Sequence, residues 1–336
     1  MRVLVRILVI SFYAYLPSVA AKWHQHSFQV MGTQAHVEFW LPDSGAIHSA
    51  EDEKKLTQAD RISRAVENEM RRIDREMSPY KPESELSKVN RLAAKGPVKI
   101  SSELFALVTK AEKISQQSHG AFDLTYASVG YRYDYRLRQK PDQQTIKQSL
   151  AAIDYTGIVL DKNERSIFFK HPKIKIDLGG IAKGYAVKNC LNILRKFDIE
   201  HGLVSAGGDT GLLGDRKGRP WFVGIKHPRA NDKTAVHLPL SDEAISTSGD
   251  YERYFIENDV RYHHIINPKT GKSAQQVVSV SVIGKDPTLV DALSTTLFVL
   301  GLHDGMAYID SLAGYEAIII DSQQKLHFSL GLQQNN

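Results

Sequence analysis

The chain has 336 residues, long enough for one large or two ordinary domains with a proper core. Its 43 Lys and Arg against 38 Asp and Glu leave a net charge of +5, and 42% of residues are hydrophobic. This excludes a disordered chain or a collagen-like repeat, and the basic excess is too small to argue nucleic-acid binding. One cysteine, Cys190, excludes an intrachain disulfide and a Cys-rich zinc site.

At the N-terminus, Arg2 and Arg6 precede an apolar run from Ile7 to Leu16. Pro17 breaks the run, and Ser18, Val19 and Ala20 supply small residues for cleavage. That order predicts a signal peptide over residues 1–20 and an exported, periplasmic chain over 21–336. A buried helix or an uncleaved anchor is the alternative. No cysteine follows the run, so no lipid anchor is expected in the mature chain. No later stretch is long and apolar enough to span a bilayer.

Residues 27–41 alternate in polarity and read as two strand pieces around Gly32. Residues 43–60 are polar and read as a loop or insertion. Ile62, Val66, Met70, Ile73 and Met77 share one helical face and predict a helix over 61–77. A second helix is expected over 102–118 and a short one over 143–153. Strands are expected at 157–160, 166–170 and 173–177. Gly179 and Gly180 then turn the chain into a helix over 181–197. Strand patterns recur at 202–205, 211–213, 221–226, 243–247, 252–256, 260–266 and 277–284. Asp286 is a good N-cap with Pro287 at the first helical position. The helix it opens reaches Leu300, Gly301 stops it, and a further helix covers 303–312. Strands at 315–320 and 325–329 close the chain. The mixed order predicts an α+β protein: mixed or antiparallel sheets flanked by helices, one large unit with two lobes.

The densest chemical signal is Lys175-Ile-Asp-Leu-Gly-Gly-Ile-Ala-Lys-Gly-Tyr185. A carboxylate ends a strand, two glycines follow, and Lys183 sits in the first helical turn. Glycines admit a ligand to the backbone, and a helix N-terminus favours anions. A plain tight turn is the competing reading. Asp291 and Thr295 lie four apart on one helical face, a pair of oxygen ligands suited to a hard divalent ion. An Asp near the first turn and a Thr bonded back to its own helix explain the same pattern. His263 and His264 are adjacent on a strand, so they point to opposite faces and cannot serve one site together. One is a candidate general base. Asp209 and Asp250 each end a strand after glycine and read as ordinary turn residues, and Cys190 reads as inert core.

Together these blocks resemble the FAD:protein FMN transferases, the ApbE family. The matching segments, in the family's order, are Met31-Gly-Thr33, Met77-Ser-Pro-Tyr-Lys-Pro-Glu-Ser-Glu-Leu-Ser-Lys-Val-Asn90 and Gly120-Ala-Phe-Asp123. Then come Asp177-Leu-Gly-Gly-Ile-Ala-Lys-Gly-Tyr-Ala186, Ser205-Ala-Gly-Gly-Asp209, Ser246-Thr-Ser-Gly-Asp250, His264-Ile-Ile-Asn-Pro268 and Asp291-Ala-Leu-Ser-Thr-Thr296. Leu124 stands where the family usually has proline, and Asn267 where it usually has aspartate.

The resemblance implies a T-fold-like architecture. It implies Mg²⁺-dependent cleavage of FAD and transfer of FMN, through a phosphoester, to a Thr or Ser of a target protein, with release of AMP. It implies FAD contacts at Met31, Tyr80, Ala121, Phe122, Asp123, Asp177, Lys183 and Ile265. The metal position falls on Asp291 and Thr295 with the carbonyl of Gly180, and His264 matches the acceptor-deprotonating base. The implied acceptors are subunits of NADH:quinone oxidoreductases or related electron-transport complexes. An FAD pyrophosphatase using water as acceptor, and a non-catalytic flavin-binding protein, are the alternatives.

Overall fold

The computed structural model describes residues 21–42, 56–230 and 232–333. The expected signal segment, and residues 43–55 of the expected insertion, lie outside the described residues. The elements in chain order are strands β1 (Ala21–Val30) and β2 (Thr33–Pro42), helices α1 (Gln58–Met77) and α2 (Glu85–Leu92), β3 (Val98–Lys99), α3 (Ser102–Gln117), α4 (Ala127–Gly130) and α5 (Gln143–Leu150). Next come β4 (Ile158–Asp161), β5 (Ser166–Phe169), α6 (Ala182–Lys196), β6 (Gly202–Ala206), β7 (Asp209–Leu213), β8 (Trp221–Lys226), β9 (Thr234–Leu240) and β10 (Ala244–Gly249). The chain finishes with β11 (Tyr254–Glu257), β12 (Val260–His263), β13 (Ile266–Asn267), β14 (Lys272–Ser273), β15 (Val277–Gly284), α7 (Pro287–Asp310), β16 (Tyr315–Asp321), β17 (Leu326–Phe328) and α8 (Leu330–Gln333).

The fold is α+β. An eight-stranded antiparallel sheet runs in the order β1-β2-β6-β7-β10-β15-β16-β17. The helices α1, α6 and α7 pack side by side across it. β15 is buried along its whole length, so its period-two alternation serves two cores. Val280 and Val282 meet Leu293, Leu297 and Phe298 of α7. Ile283 joins Leu212, Ile245 and Ile318 beneath the β8–β9 hairpin, where Trp221 and Leu240 close the opposite face. A smaller β3-β5-β4 sheet carries Ile167 and Phe169 into the core shared with α1 and α3.

Local sequence explains the joints that frame the site. Met31 and Gly32 both have positive φ, 53° and 71°, which makes the two-residue β1–β2 connection a twisted hairpin turn. A methionine in that region is strained, and this one packs against the hydrophobic core. Asp286 caps α7 through the Thr288 N–H, with Pro287 in the first turn, as its sequence predicts. At Gly301 the backbone leaves helical geometry (φ 80°, ψ −169°), which divides α7 where the sequence places a stop.

Three expectations are corrected. Residues 173–177 form no strand: Lys173 ends a turn and 174–177 join no ladder, because side chains take the ladder's place. Asn90 accepts from Ile176 N and donates to Ile176 O, both at 2.8 Å, and Ser128 Oγ accepts from Lys175 N at 3.0 Å. The run expected over 260–266 breaks at His263, and β9 (Thr234–Leu240), missed in a stretch with no clear alternation, pairs with β8. The short helix expected over 143–153 ends at Leu150.

Candidate active site

The double-glycine junction stands where α6 meets α7. The N-cap position of α6, Ile181, has no side chain able to satisfy the helix's first N–H groups. Asp291 supplies one acceptor from the neighbouring helix: its Oδ2 accepts from Gly184 N at 2.8 Å. The two helices can approach this closely only at glycine. A methyl on Gly184 would lie 2.2 Å from Pro287 O and 2.6 Å from Asp291 Cβ.

Lys183 forms an ion pair with Asp209 at the start of β7, and its Nζ is 4.0 Å from Asp291 Oδ1. Asp209 is not an ordinary turn residue, which corrects the sequence reading. It is buried and also accepts from Ser246 Oγ at 2.6 Å. Asp250, by contrast, is held in structure by Arg229 at 2.7 and 2.6 Å. Burial, then the Asp209 charge, pushes the Asp291 carboxyl up to about 7 against the pull of Lys183 and Gly184 N–H. Two buried carboxylates therefore share one ammonium. A hydroxyl chain leads on from Asp209. Ser246 and Ser248 contact Ser294 at 3.2 and 2.8 Å, and Ser248 reaches Thr295 Oγ1 at 3.3 Å.

Thr295 also faces Gly180. A methyl on Gly180 would stand 3.1 Å from Thr295 Oγ1 and 3.3 Å from the Phe122 ring. Asp291, Thr295 and Gly180 are thus gathered at one place, with Phe122 beside them. Among the described residues no group of three or more His, Cys, Asp or Glu is arranged to hold a metal. This cluster instead offers one carboxylate, one hydroxyl and main chain, all hard oxygen donors.

Asp177 is buried, with Oδ2 accepting from Tyr131 Oη at 2.9 Å and Oδ1 from Gly179 N at 2.5 Å. Burial raises its pKa, while the bonds from Gly179, Tyr131 and Tyr126 oppose the rise. Tyr131 carried no signal in the sequence reading. Asp123 turns inward: it accepts from Thr125 N, Thr125 Oγ1 and Tyr155 N at 2.7, 2.6 and 3.1 Å, and burial lifts it to about 6. Ala121 and Ile265 are buried in the core beside α7. The Tyr80 side chain is 77% exposed, yet partial desolvation of the phenol, then the Asp177 charge, raises its pKa.

The two histidines separate as their adjacency requires. His263 is structural: its ring Nε2 bonds Ala274 O at 2.6 Å and its N–H goes to Ser273 Oγ at 2.9 Å. His264 has a buried Nδ1 with no partner. Burial, with the Arg253 charge, lowers its pKa to about 3, so the imidazole is neutral. Cys190 is buried against Val66, and burial raises its thiol pKa, as expected of core. A depression of about 820 Å³ between Gln143–Leu150 and Asn267–Gln276 is lined by none of Lys183, Asp209, Asp291, Thr295, Asp177 or His264.

The ApbE family profile matches residues 31–319. The chain is 30% identical over 309 residues to the FAD:protein FMN transferase of Haemophilus influenzae, covering 88% of this chain and 86% of that one. It is 30% identical over 272 residues to one from Klebsiella pneumoniae, covering 77% and 84%. Its fold is similar to the ApbE protein of Thermotoga maritima, with TM-score 0.82, 30% identity, and coverage of 93% and 99%. It is also similar to the flavin transferase ApbE of Vibrio cholerae, with TM-score 0.79, 25% identity, and coverage of 94% and 99%. The chain belongs to the ApbE family.

Proposed function

We propose that this ApbE-family chain is an FAD:protein FMN transferase. It cleaves the diphosphate of FAD, joins FMN by a phosphoester bond to a Thr or Ser hydroxyl of an exported or membrane redox protein, and releases AMP. The observation that carries this reading is the meeting of Lys183, Asp209, Asp291 and Thr295 beside the double-glycine junction. These groups come from α6, β7 and α7, which the fold brings together at this junction.

In this reading Asp177, Tyr80, Phe122 and the strained Met31 turn hold the flavin half, and the N-terminus of α6 with Lys183 receives the diphosphate. Mg²⁺ fits the oxygen donors of Asp291, Thr295 and the Gly180 carbonyl. Two carboxylates that share one ammonium are charge-matched by a cation, which when bound stabilises phosphate charge. His264 takes the proton of the acceptor hydroxyl. The acceptor oxygen bonds to the FMN phosphorus as the bond to the AMP phosphate oxygen breaks, and AMP leaves with that electron pair. Positioning and charge stabilisation are most of what phosphoryl transfer asks of a protein. A neutral imidazole whose Nδ1 has no partner is a form that can accept a proton.

The order of charge, apolar run and small residues in 1–20 supports export. Among the described residues no helix is long and apolar enough to cross a membrane. Subunits of NADH:quinone oxidoreductases or related electron-transport complexes are the proposed acceptors. Incubation with FAD, Mg²⁺ and such a subunit should place flavin fluorescence on the acceptor band in a gel. Steady FMN and AMP release with an unlabelled acceptor would favour the pyrophosphatase, and no FAD turnover would overturn both.

A further inference from the structure

Arg253 lies in the connection from β10 to β11, outside every motif discussed above. Its carbonyl accepts from His264 N at 3.2 Å, which ties it to the proposed base. Its guanidinium extends toward the β1–β2 turn, where a methyl on Gly32 would lie 3.4 Å from Arg253 Nη2. It therefore links His264 to the β1–β2 turn of Met31 and Gly32. Its charge is felt by Asp177, Lys183, Tyr80 and His264.

The guanidinium is exposed and has no side-chain hydrogen bond or ion pair among the described residues. Nearby carboxylate does not explain it. Asp250 is taken by Arg229 at 2.7 and 2.6 Å, with Arg261 at 3.7 Å, and Arg261 is itself stacked on Tyr254 at 3.8 Å. The other cation of the site, Lys183, is already matched by Asp209. Arg253 is thus an unmatched positive charge facing these groups. An exposed arginine with its fork free suits a phosphate, which it can grip through two parallel N–H bonds.

We infer that Arg253 is a substrate-binding residue that grips the diphosphate of FAD from the β10–β11 connection. The inference rests on the FAD reading given above and adds the group that supplies the net charge, with Lys183 held by Asp209 until the diphosphate arrives.

Binding of FAD and of riboflavin, which lacks phosphate, to the full chain tests it by flavin-fluorescence titration. Arg253→Gln should weaken FAD binding at least about tenfold and leave riboflavin binding unchanged, which also certifies the fold. Arg253→Lys should recover part of the loss, because it keeps the charge but not the fork. Unchanged FAD binding by Arg253→Gln would overturn the inference alone, and so would equal weakening of FAD and riboflavin. Wild-type protein that binds no FAD would overturn the activity reading and this inference with it.

Discussion

Lys183, in the first turn of α6, holds Asp209 more closely than Asp291, whose Oδ1 is 4.0 Å from the ammonium they share. Asp209 is only 2% exposed, so the pair is a buried one on the acid's side. Lys183→Met would leave Asp209 and Asp291 facing each other without a counter-charge. Breaking a buried pair from one side costs about 3 kcal/mol or more. The double variant Lys183→Met, Asp209→Asn should regain much of that loss, because it no longer buries the unmatched charge. Urea unfolding of the two variants decides it: a double variant no more stable than Lys183→Met would mean the pair carries no such coupling.

Gly184 is the point of closest approach between α6 and α7. Its missing side chain is what lets Asp291 reach the α6 N-terminus, since a methyl there would lie 2.2 Å from Pro287 O. Gly184→Ala must push the helices apart, at a cost of about 1–3 kcal/mol as for other overpacked cores. It also moves Asp291 and with it the proposed metal position, so activity should fall further than stability. Gly96→Ala is the control, because a methyl there meets nothing within 4 Å. Thermal unfolding midpoints that fall equally in both variants would refute the packing argument.

Much of this was legible from the chain alone because the elements concerned are governed by local rules. The apolar period of α1, the Asp286 cap and the Gly301 stop are all decided within a few residues. Residues 173–177 carry the alternation of a strand in Ile174 and Ile176, but their actual partner is the side chain of Asn90, 86 positions away from Ile176. Asp209 looked like a turn because its partner Lys183 is 26 residues distant and spacing says nothing of that meeting. Arg253 gave no signal at all: an unpaired arginine becomes informative only when its surroundings are known.

Asn90 therefore offers a test of how Asp177 is placed. Its amide satisfies both Ile176 N and Ile176 O, and Tyr131 Oη adds a 3.0 Å bond to the same carbonyl. Asn90→Ala leaves the buried Ile176 N–H without an acceptor, at about 1–3 kcal/mol. We expect that loss in chemical denaturation, together with weaker FAD binding from a loosened Asp177. A variant as stable as wild type would show that water replaces the amide without penalty.

His264 sets the pH behaviour. Its folded pKa is about 3, below the ordinary histidine value of 6.5. The unfolded chain takes up a proton below 6.5 that the folded chain refuses until about 3, so the stability contributed by the neutral ring falls as pH drops through that window. His264→Gln should flatten this part of the stability profile. For catalysis, kcat/KM reports the free enzyme. At saturating Mg²⁺ its acid limb should show no inflection near 6.5 from this base, and an inflection there that vanishes in His264→Gln would refute the lowered pKa while keeping His264 as the titrating group.

Tyr80 separates flavin recognition from folding. Its ring is 77% exposed, so Tyr80→Ala should shift unfolding by no more than about 0.5 kcal/mol. An exposed aromatic within the field of Asp177 is nevertheless well placed to cover a flavin ring. The loss of such stacking, about 0.5–1.5 kcal/mol beyond the buried area, weakens binding up to about tenfold. Because the contact is to the ring and not to phosphate, FAD and riboflavin should weaken alike. That is the opposite of the pattern expected for Arg253→Gln, so the two variants measured side by side apportion the grip between ring and diphosphate. Unchanged dissociation constants for both ligands in Tyr80→Ala would move the isoalloxazine away from Tyr80 and leave Phe122 as the aromatic candidate beside Gly180.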